Sequence, residues 1–346
     1  MTTHSPLARD TPCCSVIVPV YNGAATIEQC LRALANQSAP ASDYELIIVD
    51  DGSRDETVAR IEAWAAGRPE IHLRLLQQAN AGPAAARNTG AQAANAPLLL
   101  FTDADCAPAP NWIATMLAAL SQPDVAGVKG VYRTQQQAWV ARFVQAEYED
   151  RYDRMRVRPT IDFIDTYAAG YRREIFLAQG GFDARLIACE DQELSFRLVK
   201  QGHKLHFVPA AWVEHQHVES VRNYARRKFH IGYWKALLTR WHPDRLVQDS
   251  HTPQTLKAQM GLAALMMLTT GVGAMSRGAL RRWLYGITGV SALAFVGSAA
   301  PFLRKLARRS PDLVLPGLGM LWVRAMALGL GFAVGAARWG RHSPRR

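Results

Sequence analysis

The sequence predicts an α/β domain built on a mostly parallel central sheet, followed by C-terminal apolar helices of membrane length. Three observations carry that reading. Short apolar runs alternate with amphipathic stretches through the first hundred residues, the rhythm of repeated β-α-β units. Acidic residues fall where several of those runs stop, as in PLLLFTDAD and YELIIVDDGS. Two stretches near the C-terminus, Ala258–Ser276 and Trp283–Leu303, each run for about 20 residues without a charge, the length that crosses a bilayer.

The elements follow in order. CSVIVPVYN is a buried strand that ends in turn residues, and TIEQCLRALANQ places Ile27, Leu31 and Leu34 at helical spacing. YELIIVD is a second buried strand, stopped by Asp-Asp-Gly. DETVARIEAWAAG is a helix opened by acidic residues and closed by Gly67, as the helix dipole and C-terminal signals prefer. IHLRLLQQ, GPAAARNTGAQAAN and PLLLF continue the alternation, and short links between such units imply a sheet covered on both faces. Beyond it come a helix in NWIATMLAAL, a strand in AGVKGVYRT and a long amphipathic helix in QAWVARFVQAEYEDRYDRM. Asp162–Asp183 mixes aromatic, Gly and acidic residues and reads as an irregular functional region. EDQELSFRLVKQG is a helix, and KLHFVPAAWVEHQH a strand.

The net charge of +11 is unevenly spread. From Ser220 onward 20 Lys and Arg face only Asp244, Asp249 and Asp312, about +17, which leaves about −6 for the preceding residues. The cations alternate with long apolar stretches, a pattern that favours anionic lipid over nucleic acid. A third apolar stretch, Leu313–Ala337, contains Arg324. Buried helices of a water-soluble domain are the alternative for this tail. Orientation is not readable, since arginines occupy both connections between the apolar stretches. The segment SVRNYARRKFHIGYWKALL mixes cations with aromatics and reads as interfacial, or as a basic helix packed on the domain. Five cysteines without a Cys-x-x-Cys pair do not resemble a disulfide framework or a structural zinc site. MTTHSPLARDTPCC has no apolar core of signal-peptide length, so the first domain is expected to face the cytoplasm.

The chemistry concentrates at the strand ends. In open α/β sheets ligands bind outside the carboxyl ends of the strands. Asp103 and Asp105 fall there, spaced to hold a hard divalent cation that can clamp a diphosphate. Pro19, Tyr21 and Asn22 end the first strand. Asp50 and Asp51 end the second, where a carboxylate can accept hydrogen bonds from a base or ribose, or simply cap a turn. NAGPAAARNTG opens a helix whose N-terminus favours anions, and it carries Arg87. Glu190 and Asp191 begin a later helix. One of them can serve as general base, or both can be first-turn residues favoured by the dipole.

VIVPVYN, IVDDGSRDET, NAGPAAARNTG, FTDAD, GGFD and EDQELSFRL occur in the order and approximate spacing of the family 2 glycosyltransferases. The resemblance covers roughly Ser15–His217. It implies a GT-A fold, a nucleotide-diphosphate sugar donor, a divalent metal (Mg2+ or Mn2+) and inversion at the anomeric carbon. By the same resemblance Pro19, Tyr21 and Asn22 border the nucleotide pocket, and Asp51 contacts the base with Asp50 beside it. Asn80, Gly82 and Arg87 match the donor-contacting loop and helix. Asp103 matches a residue near ribose or sugar, and Asp105 the principal metal ligand, with Asp103 and His215 as further candidates. Asp191 matches the catalytic base, next to Glu190. One departure is Glu193, where the family pattern carries a second Asp; this bears on substrate detail. His215 and His217 also fit ordinary strand histidines.

The expected organisation is a GT-A-type domain over 12–219, a basic and aromatic interfacial linker over 220–256, and membrane-associated helices over 257–346. The expected partners are the donor, a lipid-linked or glycan acceptor and membrane lipids, with no nucleic acid, at the cell membrane. A nucleotidyltransferase would need a Gly-rich phosphate loop that VPVYNGAATIEQC lacks. A non-catalytic membrane scaffold would tolerate loss of the carboxylates, all of which are present.

Overall fold

The computed structural model describes residues 11–246 and 252–341. The start of the chain, from which the absence of a signal segment is read, and part of the expected linker lie outside the described residues. The chain divides into two compact units, one formed up to Gln135 and by Tyr152–Gln216, the other by Gln136–Arg151 and from His217 onward.

The first unit is built on an eight-stranded sheet. Its strands are β1 (Cys14–Val20), β2 (Tyr44–Asp50), β3 (Leu73–Gln77), β4 (Leu98–Phe101), β5 (Cys106–Pro108), β6 (Val125–Arg133), β7 (Ala169–Arg172) and β8 (Lys204–His215). Their order across the sheet is β3-β2-β1-β4-β7-β6-β8-β5. β1 pairs in parallel with β2 and β4, β2 with β3, and β6 with β8. β7 runs antiparallel to β4 and β6, as does β5 to β8. Every residue of β1 and β2 is buried, which is why both read as unbroken apolar runs rather than alternating ones. Strand order reverses between β1 and β4, so the crevice at their carboxyl ends is the switch point where such sheets take ligands.

Helices cover the sheet. In α1 (Ile27–Ala35) Ile27, Cys30, Leu31 and Leu34 are buried, the i, i+3, i+4, i+7 stripe of an amphipathic helix. α2 (Thr57–Ala66) buries Thr57, Ile61 and Trp64. α3 (Pro83–Ala93) lies close against β1 and β2. A Cβ at Gly90 would meet Cγ2 of Ile17 at 2.5 Å, so only glycine allows that approach. α4 (Trp112–Leu120) buries Trp112, Ile113, Met116 and Leu120.

Asp162–Asp183 is more regular than the sequence suggests. It contains β7 and α6 (Arg173–Ala178). β7 has four residues, Ala-Gly-Tyr-Arg, too few to show a period. A Cβ at Gly170 would meet Leu100 and Val128 side chains at 2.9 Å, so the strand is held in the sheet by close packing rather than by β-branched residues. α7 (Glu190–Lys200) follows a residue in the left-handed region, Cys189 at φ 71°.

The long helix α5 (Trp139–Arg156) contributes its residues up to Arg151 to the second unit. That unit also contains α8 (Val221–Trp241), α9 (Gln254–Met275), α10 (Gly278–Arg309) and α11 (Val314–Arg341). Ser220 caps α8, its hydroxyl accepting from the Asn223 amide at 3.2 Å. Among the described residues three stretches, Gln254–Met275, Gly278–Arg309 and Pro311–Gly340, are long and apolar enough to cross a membrane. The core of this unit joins Val140, Phe143 and Val144 with Tyr224, Phe295 and Leu321.

Candidate active site

The loops after β1 and β2 lock onto each other. Asn22, at φ 50°, donates its amide to Ser53 Oγ at 2.8 Å, and its Oδ1 accepts from the Arg54 amide at 2.8 Å. Asparagine tolerates this left-handed geometry better than most residues. Pro19 is paired within the sheet opposite Val49, whereas Tyr21 is nearly half-exposed at the strand end.

The two aspartates ending β2 behave differently. Asp50 accepts from the Ser53 amide and so shapes its own turn. Asp51 reaches the loop before α3. Its Oδ1 accepts from the Ala81 amide at 2.9 Å and from Gln78 Nε2 at 2.8 Å, and its Oδ2 from the Gly82 amide at 2.8 Å. Asn80 Nδ2 donates to the Asp51 carbonyl at 3.0 Å. Gly82 sits at φ 91°, with nothing within 4 Å of where a Cβ would stand. Glycine is required there by the backbone and not by crowding.

Arg87, on α3, is buried and ties the centre together. Nη2 donates to Asp103 at 2.7 Å and Nη1 to Glu190 at 2.9 Å. Burial alone would disfavour its charge, but Asp103 and Glu190 outweigh it and keep the guanidinium ionised. Burial pushes the Glu190 carboxyl up against the pull of Arg87. Asn88, one residue on, holds the Gly-Gly-Phe-Asp loop by accepting from the Phe182 amide at 2.9 Å and donating to its carbonyl at 2.7 Å. The sequence reading of Arg87 as a donor contact therefore omits a second role in joining the β4 and α7 carboxylates.

Asp191 is half-buried at the start of α7, and its Oδ1 accepts from the Gln192 amide at 2.7 Å. Desolvation, with Glu190 and Asp165 adding negative potential, raises its carboxyl well above the usual range. A carboxyl shifted in this way by burial and like charge is a candidate for proton-transfer chemistry.

Asp105 and His215 meet because β5 pairs antiparallel with β8 and sets Cys106 opposite His215. His215 Nε2 lies 3.5 Å from Asp105 Oδ2. Burial opposes ionisation of Asp105, and the His215 contact outweighs it, holding the carboxyl below its ordinary value. Ligand atoms of Asp103, Asp105 and Cys106 lie within 4.8 Å of one another. Burial pushes the Cys106 thiol up, so the two carboxylates are the readier donors of this cluster, with the His215 imidazole beside Asp105. Such a set fits a hard divalent cation.

One cluster escapes sequence reading altogether. Lys129, fully buried on β6, is ion-paired with Asp165 and donates to the Tyr167 hydroxyl at 3.0 Å. Tyr167 stacks on Tyr132 at 3.4 Å between ring centroids, and Tyr132 lies against His215 at 4.4 Å. A lone lysine in GVKGVY carries no motif, so only the fold reveals that it sits among carboxylate and aromatic groups. His217 accepts the Gln136 side chain on its carbonyl, and its ring faces Gln145 at 2.9 Å.

The sheet order and the switch-point crevice with acidic residues at the strand ends are those of a GT-A-like fold. A solved mannosyltransferase, PcManGT from Pyrobaculum calidifontis in complex with GDP-Man and Mn2+, shares the fold with a TM-score of 0.63 at 20% identity, covering 98% of this chain and 90% of that one. Residues 15–178 match Glycosyl transferase family 2. Glycosyltransferase AglE of Haloferax volcanii is 33% identical over 202 residues, covering 57% of this chain and 64% of the relative. The pre-mycofactocin glycosyltransferase of Mycobacterium tuberculosis is 28% identical over 268 residues, covering 76% of this chain and 54% of the relative. The chain thus spans somewhat more than half the length of these two relatives.

Proposed function

We propose that the protein is an inverting glycosyltransferase that moves a sugar from a nucleotide-diphosphate donor to the hydroxyl of a lipid-linked or glycan acceptor at a membrane. The observation that carries this is the Arg87 bridge, which brings the β4 carboxylate Asp103 and the α7 carboxylate Glu190 to one buried guanidinium. Asp105 and Asp191 adjoin those two carboxylates in sequence. The Mn2+ and GDP-mannose of the Pyrobaculum calidifontis enzyme and the glycosyl-transfer names of the relatives support the same reading.

Asp51 and the loop it orders, with Asn80 and Gly82, form the floor of the nucleotide pocket, flanked by Pro19, Tyr21, Asn22 and Asp50. Its carboxylate retains lone pairs for a base or ribose donor after taking three loop hydrogen bonds. Asp105, with Asp103 and His215, would hold a divalent cation, Mg2+ or Mn2+, which when bound neutralises charge on the departing diphosphate. Asp191 takes the proton from the acceptor hydroxyl as that oxygen bonds to the anomeric carbon and the bond from carbon to the diphosphate oxygen breaks. Burial and the neighbouring Glu190 raise the Asp191 carboxyl, which makes its carboxylate a stronger base once ionised. Envelope or polysaccharide synthesis, with this domain in the cytoplasm, is the setting that the apolar tail favours.

A screen of nucleotide sugars with Mn2+ or Mg2+, read by donor hydrolysis and by mass analysis of lipid extracts, tests this. Release of nucleoside diphosphate with a sugar-bearing lipid or glycan product is expected. Absence of transfer from every common donor, with both metals and membrane extract supplied, overturns the reading.

A further inference from the structure

The three apolar helices of the second unit have different surroundings. The outer parts of α9 and α10 form a bare antiparallel pin. Gln259 meets Ser298 at 3.1 Å and Thr269 meets Thr288 at 2.7 Å, ten residues on along α9 and ten back along α10, so the register is fixed by polar pairs inside the pin. Its outward side chains are apolar and open, among them Met267, Leu268, Met275, Trp283, Val290 and Leu293, each more than half exposed. A continuous apolar surface of this extent has no stable place in water.

From Gln259 to Met275 the pin is about 24 Å long at about 1.5 Å per residue. A hydrocarbon core of roughly 30 Å is within reach once the bilayer thins and terminal cations extend to the headgroups. The tip supplies them. Arg277, Arg281 and Arg282 are exposed there, with Trp283 and Tyr285 beside them, the cation and aromatic pair that marks a membrane–water boundary. Arg304, Arg308 and Arg309 are exposed toward the far end of α10.

α11 is packed along one side against charged helices instead, although Leu315, Leu330 and Val334 remain exposed. α8 runs beside it in parallel with backbones in contact. A Cβ at Gly331 would meet the Phe229 carbonyl at 2.1 Å, one at Gly335 the Tyr233 carbonyl at 2.3 Å, and one at Gly232 the Leu328 carbonyl at 2.3 Å. Trp234 packs on Trp339 at 5.3 Å. Along that length α8 exposes Arg226, Arg227, His230 and Arg240, side chains that hydrocarbon does not accept. Midway along α11, Arg324 pairs with Glu147 of α5 at 2.8 Å and donates to Gln259 at 2.9 Å. Lys228 of α8 reaches the same carboxylate at 3.0 Å. The start of α11 is pinned as well, by Arg142 of α5 on Asp312.

We infer that the chain crosses the membrane twice, by the α9–α10 pin alone. α11 stays with α5 and α8 on the side from which α9 enters, so its apolar length fills a helical core rather than a third span. This rests on the membrane association proposed above and extends it to a topology. It also lessens the charge conflict of three alternating spans, since only the tip arginines Arg277, Arg281 and Arg282 then lie on the opposite side.

The test uses the full chain with an N-terminal epitope, carrying Ser276→Cys at the tip or Ser343→Cys near the C-terminus. Each is probed with a membrane-impermeant maleimide in closed vesicles of both orientations, against the parent chain as background. Ser276→Cys is expected to label from the face opposite the epitope, and Ser343→Cys from the epitope face, with labelling lost when orientation is reversed. Ser343→Cys labelling opposite the epitope would mean three crossings. Ser276→Cys labelling on the epitope side would mean a pin that does not cross. Either result overturns the inference while leaving membrane association intact. Release of the protein by alkaline carbonate overturns the membrane reading itself.

Discussion

Arg87 and Glu190 stand 103 positions apart in the chain and form a buried ion pair at 2.9 Å. The pair joins α3, which follows the loop that Asp51 orders, to α7, which begins with Glu190 and Asp191, so the two helices share one guanidinium. A buried charge left without its partner is costly. Arg87→Ala is therefore expected to destabilise the first unit by about 3 kcal/mol, the low end for breaking such a pair. Arg87→Lys should restore only part of that, since an ammonium cannot present two parallel donors. Denaturant titration of both variants measures the difference; equal stability of Arg87→Ala and the parent would show that the bridge contributes nothing.

The raised Asp191 carboxyl has a sign that stability can report. A group whose carboxyl stays protonated to higher pH when folded makes the folded state bind more protons than the unfolded one. Stability then falls as pH rises from the ordinary aspartate range toward the folded value, and stays lower above it. Asp191→Asn is expected to raise Tm at neutral pH in metal-free protein and to flatten this dependence. A lower Tm for the variant at pH 7 would contradict the burial argument.

The second unit carries the opposite case. Burial opposes ionisation of Glu147, but Lys228 and Arg324 outweigh it and hold its carboxyl at about 2. The same burial, with Arg324 as a like charge nearby, brings Lys228 down to about 8 even though Glu147 pulls it up. The carboxylate benefits because two cations face one anion. Its contribution is fully present above the ordinary glutamate range and disappears as pH falls from about 4.5 to about 2. Glu147→Gln is expected to lose on the order of 2–3 kcal/mol at pH 6, a deficit that narrows toward pH 2. Thermal unfolding in detergent at the two pH values measures it, and a deficit independent of pH would rule out the charge as its cause.

Gly82 offers a test of backbone against packing. Nothing lies within 4 Å of a Cβ at that position, yet φ is 91°. Gly82→Ala is expected to cost about 1 kcal/mol through conformation alone, and to weaken donor binding, because the Gly82 amide is one of the donors on Asp51. Unfolding and nucleotide titration of the variant check both effects; unchanged stability would mean that the loop relaxes freely.

Much of this architecture is legible from sequence where burial is two-sided. β1, β2 and β4 stand out because strands covered on both faces need apolar residues at nearly every position. The acidic pairs at the ends of β2 and β4 are legible for the complementary reason, since charge stops the strand. β7 and β5 are not, because four and three residues carry no period and their places depend on neighbours. The bridging role of Arg87 and the Lys129–Asp165 pair are hidden likewise: each depends on groups brought together by sheet order, which local composition does not encode. The Asp51 loop lies between these cases. Its residues mark a site, but only the fold shows the carboxylate ordering the backbone that forms it.

If Asp191 removes the acceptor proton, single-turnover transfer by Asp191→Asn reports the loss of that step. With donor and Mn2+ identified by the screen, the variant should bind the nucleotide sugar with a Kd within a few-fold of the parent while the transfer rate falls by about 10²–10⁴. Transfer at the parental rate by a variant that binds donor normally would contradict the account.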